Sequence, residues 1–524
     1  MKILVVTGRL AEESVKRYAS EACEEVDVIA LPISVAAFIT PEYAAEALSS
    51  LQVRGYDLIL MPGAVQGDVS LIESATGVQT FKGPIHAADI PLIISLLGEV
   101  ELSKTTPASE LVREILKRRV LTEVEEVDRN WREVLKKHGG LIVGGEGYEV
   151  PIGNAFPMRV IAEIVNAPML DIDTVKKRAI YYEAEGADII DIGMLAGRPV
   201  PEKVPALVEV VRSSVTLPLS IDTLEPSEIE AAVDAGVDLI LSVDSGNMEE
   251  VATTVSDIPV VVLASNMKEG RLPRESDERV SALIDNIDKA RRLGFEKVVA
   301  DPVLEPALHP GLMESLKAYS LFRQFDGETP MLFGLGNVTE LIDIDSPGVN
   351  GLLTALACEV GANLLFVPEF SPKAKGSVSE TVTASKMMFL ARRRGTVPKD
   401  LGIDLLTLKE KRWKEELYDR GIEDKVEVGE AEREEAFYED RAGWFKIEVD
   451  RERCLIAATH FPQGEKNPDI VVKGRGAREV YQTIIRKGLV SELDHAAYLG
   501  KELEKAEIAI RLGRAYLQDE DLFA

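Results

Sequence analysis

Gly186–Arg198, GADIIDIGMLAGR, decides the fold of this chain. The residues before it, KKRAIYYEAE (Lys176–Glu185), carry helical spacing, and Gly186 ends that helix. Ala187–Gly193 then crosses as a short apolar strand. Gly197 and Arg198 follow, a loop of small residues with one fixed positive charge. The carboxyl end of a parallel strand is where an α/β barrel presents groups to a ligand, and small-residue loops there suit an anionic or flat molecule. The pattern recurs as PLSIDT (Pro218–Thr223) and VDLILSVDSG (Val237–Gly246).

Outward from this unit, strand and helix patterns alternate regularly. The spacing predicts strands over 159–166, 188–193, 218–222, 238–243, 259–265, 297–302, 330–336 and 363–369. Helices are predicted over 173–185, 202–213, 226–235, 247–254, 278–293, 310–325, 347–360 and 377–393. Eight such units match a (β/α)8 TIM barrel; a longer doubly wound sheet is the alternative, and the even spacing favours the barrel. In a barrel the chemistry lies at the carboxyl ends of the strands. Those ends hold Asn166, Asp191, Arg198, Asp222, Ser242, Asp244, Lys268, Asp301, Asn337, Lys373 and Lys375. Histidine and cysteine are scarce among them, so a cage of soft metal ligands is excluded, and no nucleophilic triad is visible. Carboxylates and amides can instead bind the N–H edge of a heteroaromatic ring through two points. Arg198, Lys268, Lys373 and Lys375 suit a phosphate, or read as plain surface cations. Asp191 reads equally as a buried structural carboxylate, Asp222 as a helix cap and Asp301 as turn chemistry before Pro302.

The chain has 524 residues, enough for several domains, with ordinary globular proportions of 46% hydrophobic and 28% charged residues. Its formal net charge of −29 argues against nucleic acid and anionic membrane as partners. No apolar run reaches the length of a membrane span, and MKILVVTGRL is too soon interrupted by charge for a signal peptide. The three cysteines have no metal or redox spacing, so a reducing cytoplasm is expected.

Residues 1–140 read as a Rossmann- or flavodoxin-like doubly wound parallel α/β domain with connecting helices. Its strands are KILVVTG, VDVIALP (Val26–Pro32) and YDLILMPG (Tyr56–Gly63), with FKGPIH as a loop between two later helices. The turn Gly8-Arg9 suits an anion or is merely a turn, and no G-x-G-x-x-G marks a dinucleotide. The glycine-rich GGLIVGGEGYEVPIGN marks a boundary before a barrel domain at 150–395. Residues 396–524 read as a helical linker over Val397–Asp440 and a small α+β domain. There RAGWFKIEVDRERCLIAATHF alternates as a strand pair turning at Asp450–Arg453, and two helices follow.

Taken in order, EIVNAP, EGADIIDIG…GRP, LSIDT, AGVDLILSVDSG, VADPVLEP and MLFGLGN resemble the pterin-binding barrel superfamily. That group holds the dihydropteroate synthases and the folate- or pterin-dependent corrinoid methyltransferases. The resemblance spans Arg159 to Arg394. It implies that Asn166 helps hold a diphosphate with Mg²⁺, that Arg198 is the cation of the second loop, and that Asp222 and Asp301 grip the pterin. Asn166, Arg198 and Asp222 would then be the catalytic set. The chain also departs from the synthases. Leu241 stands where they carry an asparagine, with Ser242 and Asp244 as the nearest polar residues. Gly336-Asn337-Val338 replaces a Ser-Arg-Lys run, and Asn337 resembles the methyltransferase branch. Phe366 and Pro368 replace an arginine and a histidine, leaving Lys373 and Lys375 to supply positive charge.

The implied function is condensation of a dihydropterin-methyl diphosphate with an arylamine in an archaeal, methanopterin- or folate-type pathway, by a cytoplasmic homodimer. The alternatives are methyl transfer from a methyl-pterin to a corrinoid protein, and a non-catalytic pterin-binding protein. The C-terminal stretch faintly resembles a small domain of the corrinoid subunit of the tetrahydromethanopterin methyltransferase. His460 and His495 nonetheless lack a D-x-H-x-x-G pattern and read as capping or surface residues.

Overall fold

The structure is a computed structural model that describes residues 1–523 except 52, 256, 400, 412–417 and 433–438. The chain forms two compact units, Met1–Tyr418 and Asp419–Ala524.

The first unit opens with a parallel sheet of β1 (Lys2–Gly8), β2 (Glu25–Leu31), β3 (Leu58–Met61) and β4 (Gln79–Lys82), in the order β2-β1-β3-β4. This is the doubly wound arrangement its alternating pattern predicts. The strand β4 takes Phe81 and Lys82 out of the expected FKGPIH loop, because its four residues pair in register with all four of β3. Two helices, Ala108–Arg129 and Trp131–His138, lead onward. Their apolar stripe at Val120, Val124 and Val127 packs on Phe156, Phe389 and Leu390.

Next comes a hairpin, β5 (Leu141–Val143) and β6 (Val150–Ile152), in the glycine-rich segment. Then follow the eight barrel strands: β7 (Arg159–Ile164), β8 (Ile189–Gly193), β9 (Leu219–Asp222), β10 (Leu239–Val243), β11 (Val260–Leu263), β12 (Val298–Asp301), β13 (Leu332–Gly334) and β14 (Leu364–Pro368). All are parallel, in the order β12-β11-β10-β9-β8-β7-β14-β13. The Ala300 N–H donates to the Pro330 carbonyl at 2.8 Å, with a parallel bridge from Ala300 to Met331, and this joins the sheet's two edges into a closed barrel. The TIM-barrel class predicted from spacing is therefore the observed one. The helix expected over 247–254 is only one turn, Met248–Val251. Gly186, at φ 89, occupies the left-handed conformation that ends the helix Ile172–Ala184 and turns the chain into β8.

Side-chain parity sorts the barrel. Val160, Ala162, Ile164, Ile190 and Ile192 face outward into the helix layer. Ile161, Ile189, Leu239, Val261, Val299, Leu332 and Leu364 face inward, and Val143 and Ile152 of the hairpin join them. The hairpin thus closes the amino-terminal end of the barrel with apolar side chains. Each such side chain contributes roughly 1.5–3 kcal/mol on leaving water. Two residues further along three of the strands the inward positions change character, because period 2 carries Glu163 onto Ile161's face, Asp191 onto Ile189's and Asp301 onto Val299's.

The second unit has an antiparallel sheet of β15 (Trp444–Asp450), β16 (Leu455–Phe461) and β17 (Ile470–Gly474), order β15-β16-β17, with helices Ala477–Arg486 and Leu493–Leu512. The predicted strand pair is present, with Trp444 opposite Phe461. The helix expected through Val397–Asp440 lies partly at 412–417 and 433–438, outside the described residues. His460 is buried, with Nδ1 2.7 Å from Asp469 and Nε2 2.9 Å from the Ala442 carbonyl. His495 Nδ1 lies 2.8 Å from Asp440, which also accepts from the Ser491 N–H and is held well below the usual carboxylate range. No helix among the described residues is long and apolar enough to cross a membrane.

Candidate functional site

The carboxyl ends of β8 to β11 and their loops enclose a cleft of about 670 Å³. Asp222, Ser242, Asp244 and Lys268 line it, with Met194–Gly197 along one wall. Asp222 ends β9 in register with Gly193 of β8 and Leu241 of β10. Its Oδ1 accepts from the Ser242 hydroxyl at 2.5 Å, and its Oδ2 has no protein partner among the described residues. Burial raises its pKa. Ser242 stands at φ 67, a conformation a non-glycine residue adopts only when its surroundings impose it. Leu241 turns into the barrel's apolar interior.

Asp301 ends β12. Its Oδ1 accepts from the Tyr319 hydroxyl at 2.9 Å and the Val303 N–H at 2.8 Å, which leaves Oδ2 without a protein partner among the described residues. Burial outweighs those donors and lifts its pKa to about 6. Asp191 is fully buried, with Ser220 donating to Oδ1 at 2.6 Å and Oδ2 unpartnered. Its pKa stands well above the ordinary value through burial and through the charges of Asp222 and Glu163. Glu163, on β7, pairs in register with Asp191. Burial first, then Asp222 and Glu340, push Glu163 up to about 8. Glu163, Asp191, Asp222 and Asp301 together make the upper barrel acidic, as its lower half is apolar. Like charges so close cannot all ionise at neutral pH.

The other sequence candidates divide. Asp244 is 1% exposed. It accepts from the Gly246 N–H at 2.8 Å, the Ser265 hydroxyl at 2.8 Å and the Met267 N–H at 2.6 Å, so it ties two loops together. Asn337 is exposed on the short helix Gly336–Thr339 and donates to the Leu304 carbonyl at 2.6 Å, which leaves its amide oxygen available. Asn166 follows β7, in the left-handed region at φ 51 before the short turn Ala167–Met169, its side chain without a hydrogen bond among the described residues. Of the four rim cations, Lys268 pairs with Glu250 at 2.6 Å. Lys373 donates to the carbonyls of Thr339, at 2.8 Å, and Ile342. Lys375 sits 3.7 Å from the Tyr181 ring centroid and 3.8 Å from Glu369. Arg198 is exposed and, alone of the four, has no partner among the described residues.

Among the described residues no group of three or more His, Cys, Asp or Glu is placed to hold a metal. Mg²⁺ takes oxygen ligands and keeps several waters, commonly sharing substrate phosphates. The unpartnered Asn166 amide suits an ion that arrives with a diphosphate, and not an all-protein cage.

Sequence reading passed over Glu163 and Tyr319. Glu163 carried a signal, being a charged residue on the same face as Ile161 and two before Val165 in a strand otherwise apolar after Arg159. Tyr319 carried none, since it lies on the helix Leu312–Phe325 among other apolar residues.

The fold is thus a closed parallel barrel with clustered carboxylates at the carboxyl ends of its strands. The family described as "Pterin binding enzyme" matches residues 164–366. Residues 1–85 match a family of unknown function, DUF6513, and residues 439–519 match the family PterinBD-DUF4346. The chain is 39% identical over 534 residues to "Uncharacterized protein MJ0107" of Methanocaldococcus jannaschii, covering 100% of this chain and 99% of that protein. It belongs to the family of that protein, and its barrel belongs to the pterin-binding superfamily. A Ycf91-like protein of Nostoc is 32% identical over 105 residues, 15% of this chain and 83% of that protein. Among solved structures, a dihydropteroate synthase of Xanthomonas albilineans with 4-aminobenzoic acid aligns with 49% of this chain and 100% of its own, at 21% identity and a TM-score of 0.40. A Yersinia pestis synthase aligns with 48% and 100%, at 20% identity and a TM-score of 0.39.

Proposed function

We propose that the barrel binds a reduced pterin and acts as a transferase resembling dihydropteroate synthase. It joins a dihydropterin-methyl diphosphate to an arylamine, in tetrahydromethanopterin- or folate-type cofactor synthesis. One observation carries the reading. Asp222 and Asp301 each commit one oxygen to a protein hydroxyl, from Ser242 and Tyr319, and keep the other for a ligand. Two such carboxylates suit the adjacent N–H donors of a pterin edge.

In this reading the arylamine nitrogen attacks the exocyclic methylene carbon. The C–N bond forms as the C–O bond to diphosphate breaks, and the amine's proton passes to solvent. Arg198 stabilises the negative charge that gathers on the leaving group. Mg²⁺, when bound, would supply further charge neutralisation there, with Asn166 as its protein ligand. Purified protein given the pterin diphosphate and arylamines should release diphosphate. Absence of release with every arylamine, despite pterin binding, would sink the synthase reading.

A second reading, methyl transfer from a methyl-pterin to a corrinoid protein, is favoured by the exposed Asn337 and by the engagement of Lys373 and Lys375 with protein groups. It requires methyl-pterin loss that depends on added cob(I)alamin. Pterin binding with neither reaction supports a non-catalytic binding protein.

A further inference from the structure

The acidic interior contains two carboxyls for which pterin capture by Asp222 and Asp301 has no use, Asp191 and Glu163, and of these only Glu163 is not fully buried. Glu163 points into the barrel from β7, beside Asp191 in register. Its carboxyl lies against Gly193, where a Cβ would come within 2.3 Å of Glu163 Oε1, so the glycine makes room for it. Among the described residues it has no hydrogen-bond partner, and it is half-buried, so part of it remains within reach of a ligand.

The charged groups that bear on it are all acidic. Asp222 faces it from β9, Asp191 from β8 and Glu340 from the segment after β13, and Tyr182 lies behind it on the helix Ile172–Ala184. Glu340 is itself occupied with the Phe370 and Ser371 N–H groups. A carboxyl packed among carboxylates with no cation beside it keeps its proton, and a protonated carboxyl is a donor.

We propose, building on the pterin reading above, that Glu163 is a ligand contact: a neutral carboxyl that donates a hydrogen bond to an acceptor atom of the bound ring. Asp222 and Asp301 accept from the ring's N–H edge, and Glu163 supplies the complementary donor. The barrel thereby selects ring systems with an imine nitrogen or carbonyl oxygen over its floor.

The test measures binding of 6-hydroxymethyl-7,8-dihydropterin to the full chain by calorimetry across pH 6 to 9.5. Wild-type affinity should be greatest near pH 7 and fall about 3- to 10-fold as pH passes upward through about 8, where Glu163 loses its proton. Glu163→Gln, still a donor, should match wild type at pH 7 and lose that pH dependence. Glu163→Ala should bind about 3- to 10-fold more weakly at pH 7. Gly193→Ala, which displaces the carboxyl, should behave like it. Infrared difference spectra should show a protonated-carboxyl band at pH 7 that Glu163→Gln removes, a readout independent of any activity and of folding losses. Wild-type binding that Glu163→Ala leaves unchanged, or a pH dependence that Glu163→Gln retains, overturns this proposal while leaving the pterin reading intact. A wild-type chain without affinity for the pterin at any pH overturns both.

Discussion

Ser242 donates its hydroxyl to Asp222 at 2.5 Å from a backbone held at φ 67. The strain and the hydrogen bond belong together, because the left-handed turn aims Oγ back across the sheet at the neighbouring strand. Ser242→Ala removes the donor and should weaken pterin binding about 3- to 10-fold. Ser242→Gly loses the same donor but relieves the backbone, so its melting temperature should exceed that of Ser242→Ala. Titration calorimetry and thermal melts check the pair; equal melting temperatures would show that the turn stores no strain.

Tyr319 acts on Asp301 in the same way, from the helix behind β12. Its hydroxyl stabilises the carboxylate, so Tyr319→Phe should raise the Asp301 pKa above its value of about 6. An ionised Asp301 is the form that accepts from a pterin. Wild-type binding should therefore weaken as pH falls through about 6, and the variant should weaken already at a higher pH. The pH midpoint of pterin binding reads this directly.

The raised pKa of Glu163 also makes a statement about stability. A carboxyl of ordinary pKa 4.5 when unfolded and about 8 when folded favours folding most below pH 4.5. That contribution is lost as pH rises toward 8. Glu163→Gln cannot ionise, so its stability should be flatter with pH and should exceed wild type at pH 8–9 by on the order of 1–2 kcal/mol, a few degrees in melting temperature. A wild-type chain no less stable than the variant at pH 9 would contradict the placement of this group.

Arg198 and Lys373 separate by what they touch. Arg198→Ala should reduce turnover of a pterin diphosphate about 10-fold or more while leaving the unphosphorylated pterin's affinity unchanged. Lys373→Ala should instead lower stability by about 1–2 kcal/mol, since the ammonium ties the carbonyls of Thr339 and Ile342. Steady-state kinetics and urea melts of both variants distinguish the two effects.

The hairpin that closes the barrel floor is testable by truncation. Ile152 is fully buried among Ile161, Leu239 and Leu364. Ile152→Ala should cost about 2–5 kcal/mol in urea unfolding, as a cavity in a packed core does.

Much of the architecture was legible because it is written in short-range periodicity. The alternation from Arg159 to Arg394 names the strands and helices one by one, and the barrel's parity follows from period 2 once Ile161 and Glu163 are placed on one face. The hairpin at Leu141–Ile152 was not legible, since its glycines resemble a linker and its few apolar residues gain meaning only beneath the barrel. The strand β17 was likewise hidden, being short and exposed on alternate residues.

The sequence by itself determined the fold class and the identity of the strand ends, and its family resemblance singled out Asp222 and Asp301 as candidate ring-binding carboxylates. Local pattern and motif order are properties of neighbouring residues, and these survive without coordinates. Only the tertiary structure decided which rim groups remain free. Asp244 is spent on Ser265 and Met267, Lys373 on carbonyls that precede it by 34 and 31 residues, and Lys375 on Tyr181. Glu163 became a candidate only there, because three carboxylates from other strands and loops bear on it. A hydrogen bond or a charge acts over a few ångströms whatever the distance along the chain, so the availability and protonation of these groups depend on contacts that sequence spacing does not express.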